Sequence, residues 1–197
     1  MGKETMVKKE RILTTKRLIL RPWFESDAES LYKYAKDPEV GLPAGWPVHK
    51  SVAESLEVIQ NVLNSRECYA ICKKDTNEVI GSIELKLEGH TDMTERDDEC
   101  ELGYWLGKPF WGREYMLEAT MELLRHGFED LGMITIWCGY YDGNNKSKRV
   151  QEKMGFRYHH TCKEVPVILL NEVRIGHTNY MTLEMWNMQK SRFKFGE

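Results

Sequence analysis

The segment that most restricts what this chain can fold into is Glu101 to Ala119, ELGYWLGKPFWGREYMLEA. Its first part alternates toward aromatic and aliphatic residues and reads as a strand from Asp98 to Leu106. Gly107 and Pro109 then impose a short turn. Met116, Ala119, Leu123, Leu124 and Phe128 recur at helical spacing, which predicts a helix from about Gly112 to Glu129. A strand that hands over directly to an amphipathic helix belongs to a sheet covered by helices. The junction is also a ready anion site. First-turn N–H groups have no partner in the helix, and the helix dipole adds partial positive charge. Gly112 has no Cβ, so a diphosphate could come close to that backbone.

A second unit of the same kind follows. Ile134 to Tyr140 reads as a strand, and NNKSKRVQEKMGF, Asn144 to Phe156, as a short helix stopped by Gly155. Asn144 is a good N-cap, and Ser147, Val150 and Met154 share a face. These two units give one β-α-β crossover. Before them, Thr15 to Pro22 reads as a strand, Asp27 as the cap of a helix through Leu31 and Tyr34, and Gly41 to Lys50 as a loop. Ser51 and Glu54 form a capping box for the next helix. Tyr69 to Lys73 and Glu78 to Leu87 flank the polar turn Lys74-Asp75-Thr76-Asn77 as a hairpin. Phe156 to Val167 and His177 to Trp186 are the last expected strands. The order β-α-α-β-β-β-α-β-α-β-β predicts an α+β fold, a mixed and mostly antiparallel sheet with helices on both faces.

With 197 residues, 41% hydrophobic and 30% charged, the chain has the balance of one globular domain. No linker or repeat divides it, so residues 1–197 are taken as a single domain, with 1–10 and 189–197 as its expected mobile ends. A net charge of -3 argues against a nucleic-acid binder. No apolar run has the length of a membrane span, and the charged start Met1 to Arg11 is unlike a signal peptide. The odd cysteine count, Cys68, Cys72, Cys100, Cys138 and Cys162, fits a reduced cytoplasmic protein. The spacings of these cysteines, and of His159 and His160, match no zinc signature, so no metal is expected.

Taken together and in this order, the two strand–turn–helix segments resemble the GNAT N-acetyltransferases. The resemblance is strongest to the branch that acetylates ribosomal-protein N-termini. TKRLILRP near the start and IGSIEL at Ile80 to Leu85 are similar to the same branch. The resemblance implies a V-shaped splay between the strand ending at Leu106 and that of Ile134 to Tyr140. Acetyl-CoA would lie in it as co-substrate, its pantetheine arm bonded to the backbone of Tyr104, Trp105 and Leu106. Its pyrophosphate would sit on the N–H groups of Trp111, Gly112, Arg113, Glu114, Tyr115 and Met116. Asn144 and Ser147 would flank the thioester, with Lys148 or Arg149 near a CoA phosphate. Two departures stand out: Glu114 where the family loop has glycine, and Gln151 where many members carry a tyrosine acid.

Acetyl transfer to an amine needs a base, an oxyanion donor and help for the leaving thiolate. Glu101 is the expected base, with Glu99 and Glu84 as substitutes; a structural glutamate on a solvent face is the other reading of Glu101. A backbone N–H near Trp105 or Leu106 would serve the oxyanion. Ser147 is the candidate acid, or else an inward serine bonding the preceding turn. Trp46 and His49, with Glu84, would line the acceptor pocket for a small-molecule or peptide amine. Glu95, Asp97, Asp98, Glu99 and Glu101 make an acidic entry to the Asp98 to Leu106 strand that could attract a cationic amine, while the run Thr94 to Asp98 also reads as a solvated hairpin. An alternative is a non-catalytic module on the same fold, holding CoA or a partner. Monomer and homodimer both stay open.

Overall fold

The structure, a computed structural model, describes residues 11–87 and 91–193. Its strands are β1 (Leu13–Thr14), β2 (Leu18–Arg21), β3 (Cys68–Lys73), β4 (Val79–Lys86), β5 (Glu99–Leu106), β6 (Thr135–Tyr141), β7 (Arg157–Val167) and β8 (Glu172–Thr182). They form one sheet in the order β1-β2-β3-β4-β5-β6-β8-β7. Only β5 and β6 run parallel among the paired neighbours. The helices are α1 (Ala28–Ala35), α2 (Pro38–Gly41), α3 (Val52–Asn61), α4 (Tyr115–Arg125), α5 (Asn145–Met154) and α6 (Leu183–Gln189). The expected mixed α+β architecture is what the chain adopts.

Strand alternation sorts the core onto two faces. Cys100, Leu102 and Leu106 of β5 pack with Met116, Ala119 and Leu123 of α4, while Ala70 and Cys72 of β3 pack with Leu31 and Ile59 of α1 and α3. Trp105 belongs to the second face and stacks on Trp23. The parallel β5-α4-β6 unit is the predicted crossover.

Several local expectations are corrected. Asp27 does not cap α1 with its side chain. Its carboxylate is claimed by Arg21, at 2.7 and 2.9 Å, and by the Phe24 N–H. Ser51 caps α3 as expected, but Glu54 reaches back to the Lys50 N–H rather than to that of Ser51. The stretch read as a loop from Gly41 begins with helical turns, because Asp37 caps α2 and Pro38 stands at its first position. Leu183 to Trp186 is helix, not strand: the Thr182 side chain accepts the Met185 N–H and turns the chain. Within the segment 189–197, Phe193 stacks on the buried Trp186 and Gln189 donates to the Met154 carbonyl, and residues 194–197 lie outside the described residues. The expectation for residues 1–10 lies outside the described residues.

Candidate active site

The parallel pairing of β5 and β6 runs only from Glu99↔Thr135 to Glu101↔Trp137. Beyond it, β5 stays bonded to β4 as far as Leu106↔Gly81, and β6 to β8 as far as Tyr141↔Gly176. The two strands are held by opposite halves of the sheet and separate. A cavity of about 680 Å³ fills the gap, with Tyr104, Trp105, Cys138, Gly139 and Ser147 in its walls. A smaller one of about 100 Å³ carries on past Leu106, Trp111 and Met116. The two share Tyr104, Trp105, Asn144 and Ser147, so they form one channel along the open edge of β5.

The channel leads to the β5–α4 turn. The helix starts at Tyr115, three residues later than the spacing predicts, because Gly112 and Glu114 are both left-handed, with φ of 71° and 62°. That conformation explains Gly112 better than crowding does, since a Cβ there would meet nothing within 4 Å. Glu114 offers no side-chain cap, so the amides of Tyr115, Met116 and Leu117 begin the helix without a partner from it. Its exposed carboxylate meets Lys153 of α5 at 3.4 Å. Trp111 donates its indole N–H to the Leu106 carbonyl at 2.7 Å, closing the strand end. The Lys146 ammonium stands 3.7 Å over the Trp111 ring, a cation–π contact at the channel wall.

Asn144 and Ser147 come together as read. Asn144 accepts the Ser147 N–H at 3.2 Å and donates to the Pro43 carbonyl at 3.1 Å. The Ser147 hydroxyl meets the Tyr104 hydroxyl at 3.0 Å. Gln151, fully buried, donates to the Gly139 carbonyl and to Ser147 Oγ, both at 3.1 Å, and its Oε1 accepts from Asn179 at 2.7 Å. The Gly139 carbonyl can only accept, which fixes which end of the amide faces Ser147. Ser147 Oγ is thereby an acceptor from Gln151, and its own proton is left for Tyr104 or the cleft. Tyr104 also donates to the Ser147 carbonyl at 3.2 Å. Burial pushes the Tyr104 phenol well above its ordinary range, so it stays protonated. Burial does the same to the Cys138 thiol in the cavity wall, which argues against a thiolate nucleophile there.

On the other face of β5, Glu101 lines the larger cavity and is 8% exposed. Lys86 approaches one carboxylate oxygen at 2.9 Å and Thr91 donates to the other at 2.6 Å. For Lys86, burial works against the charged form, but Glu101, Glu84 and Asp92 together outweigh it and hold the ammonium above the ordinary lysine range. Glu84 lies opposite Gly103 and shares this wall, as does Trp46, whose ring meets Trp105 edge-on. His49 is behind Trp46, bonded to Ser55 at 2.8 Å, and burial lowers its pKa. It lines neither cavity. Glu99 turns to Trp137 and Thr94, at 2.7 and 2.8 Å.

Gly112, Arg113, Glu114, Tyr115 and Arg149 also lie outside both cavities, so of the predicted diphosphate loop only Trp111 and Met116 line one. Arg149 is exposed, the Arg113 carbonyl accepts from Arg17, and the Arg17 guanidinium covers the Tyr115 ring. Lys146 and Lys86 are the residues the sequence reading missed. The second could have been found by parity, since Lys86 is two residues from Glu84 on the same strand face. The acidic run folds as a loop in which Arg96 pairs with Asp98, and the Met93 methyl sits where a Cβ on Gly139 would be.

Residues 17–157 match the family model described as Acetyltransferase (GNAT) domain. The uncharacterized N-acetyltransferase YoaA of Bacillus subtilis is 28% identical over 151 residues, 74% of this chain and 82% of that protein. YdaF of the same organism, provisionally named a ribosomal N-acetyltransferase, is 34% identical over 58 residues, 29% of this chain and 32% of its own. A GNAT-family acetyltransferase from Bacillus anthracis superposes with a TM-score of 0.77 at 20% identity, covering 88% of this chain and 99% of that one. The microcin C7 self-immunity acetyltransferase MccE, solved with acetyl-CoA and AMP, has a TM-score of 0.67 at 18% identity, covering 84% and 92%. A splayed β5–β6 pair, an uncapped helix start beside it and a family match over most of the chain agree: this protein belongs to the GNAT acetyltransferase family.

Proposed function

We propose that the chain transfers an acetyl group from acetyl-CoA to a primary amine by direct attack. The observation that carries this is the single channel that joins the open β5 edge, the uncapped α4 start and the Ser147 hydroxyl, with Glu101 on its far wall. The donor's thioester supplies the activated acyl group. The chain's own residues do the rest. Unpaired β5 backbone can bond an extended arm as an added strand would, and the Tyr115 to Leu117 amides suit a diphosphate.

Glu101 takes the proton of the incoming ammonium, which must be neutral to attack. For that, its bond to Lys86 or Thr91 has to give way to the substrate. Ser147, oriented by Gln151 and backed by Tyr104, presents a proton to the departing thiolate, so a tyrosine at position 151 is not required. The acidic wall of Glu84, Glu101 and Asp92 suits a cationic acceptor, a peptide N-terminus or a small amine. A reducing, cytoplasmic setting fits four buried free cysteines and one exposed. No described helix is long and apolar enough to cross a membrane.

The occupied state of both Glu101 oxygens favours a second reading, a module that binds CoA without turnover. Calorimetric titration with acetyl-CoA, followed by a thiol-release assay over a panel of amines, separates the two. Binding with amine-dependent thiol release is expected. Binding with no release from any amine supports the module, and no binding contradicts both.

A further inference from the structure

Lys86 stands where the proposed reaction needs its acceptor. On β4 it faces Glu101 across the β4–β5 pairing, and its ammonium is 2.9 Å from Glu101 Oε1. Its stem lies beside Gly103: a Cβ built there would be 3.4 Å from Lys86 Cε. Gly103 is two residues beyond Glu101, the last residue of β5 still paired with β6. Lys86 also lines the cavity that Tyr104 and Ser147 line. An amine held by the base, at the mouth of the channel for the thioester, has the position of an acceptor amine.

We infer that Lys86 is itself a modification site: with acetyl-CoA bound and no external amine, the chain acetylates its own Lys86. This rests on the acetyl-transfer reading above. The Lys86 ammonium passes one proton to Glu101, which releases it to solvent. The nitrogen lone pair then forms the C–N bond to the thioester carbonyl carbon. Collapse of that adduct breaks the C–S bond, and the second proton lost by nitrogen ends on sulfur by way of Ser147 or water. The sum is one ammonium and one thioester converted to an amide, a thiol and a solvent proton.

The ion pair with Glu101 holds Lys86 in its unreactive charged form, so the step is slow compared with turnover of a good acceptor. It is nevertheless directed. The Lys86 side chain is 32% exposed, which shields it from chemical acetylation in solution, whereas Lys16, Lys50 and Lys163 are exposed. Once acetylated, Lys86 carries no charge, and Glu101 keeps only the Thr91 hydroxyl as a described partner.

The test is to incubate the full chain with acetyl-CoA alone and follow acetylation of every lysine by mass spectrometry. Calorimetry on the same sample records acetyl-CoA binding. Lys86 is expected to gain 42 Da roughly tenfold faster than Lys16, Lys50 or Lys163, at a rate per molecule independent of protein concentration. That lead should vanish in urea and fall roughly tenfold in Glu101→Gln. Acetyl-CoA binding with Lys86 modified no faster than the exposed lysines overturns this inference and leaves the proposed function standing. Absence of acetyl-CoA binding overturns both. Preferential modification that survives Glu101→Gln unchanged also overturns it, since the base would then play no part.

Discussion

Two strand-to-helix turns lie side by side at the open end of the sheet, and they are built in opposite ways. The β6–α5 turn is closed. Gly143 takes a left-handed φ of 84°, and Asn144 then caps α5 by accepting from Ser147 and ties itself to Pro43. The β5–α4 turn is open. Gly112 and Glu114 are left-handed, and no side chain caps the helix. A cap adds roughly 1 kcal/mol to a helix, so leaving one out sacrifices stability. The contrast assigns different work to each turn. The closed one is a mount that holds a hydroxyl in place. In the proposed function, the open one keeps its amides for the diphosphate.

Four substitutions press on that contrast. Glu101→Gln, which removes the proposed base, should lower kcat by about a hundredfold with acetyl-CoA affinity unchanged. Unaltered kcat would remove Glu101 from the chemistry. Ser147→Ala should lower kcat roughly tenfold, and Gln151→Leu should do the same while leaving KM for acetyl-CoA as it was. A Gln151→Leu protein that folds normally and keeps full kcat would show that Ser147 needs no orientation. Asn144→Ala opens the closed turn. It should cost about 1 kcal/mol in urea unfolding, with kcat falling because Ser147 loses its mount.

Glu114→Gly sharpens the comparison from the other side. A non-glycine residue in the left-handed region costs about 1 kcal/mol, and a carboxylate beside a diphosphate weakens binding. Glycine should therefore raise stability by about 1 kcal/mol and tighten acetyl-CoA binding severalfold. Weaker binding would mean that the open turn is not the diphosphate site.

The closed turn was legible in the sequence almost residue by residue. Asn144, Ser147, Met154 and Gly155 take the roles that helix periodicity and capping assign them, because capping depends on neighbours in the chain. The open turn was legible in kind but not in detail. Periodicity placed the helix start at Gly112, and only the two left-handed residues move it to Tyr115. Glu114 looked like a charge problem, and the backbone shows a conformational one as well.

Long-range partners were the least legible. Asp27 reads as a cap by any local rule, but Arg21, brought against it by the fold, takes its carboxylate. Lys86 and Glu101 are fifteen positions apart and meet only through the β4–β5 register. Lys146 covers Trp111 and lines the smaller cavity, because which face of α5 borders the channel is decided by packing.

In the proposed function acetyl-CoA occupies the splay between β5 and β6 and ends on the open turn. Amide hydrogen exchange with and without acetyl-CoA tests it most directly. New protection is expected in two segments, Leu102 to Leu106 and Gly112 to Leu117, with little change at the already capped start of α5. Binding that protects neither segment would contradict it.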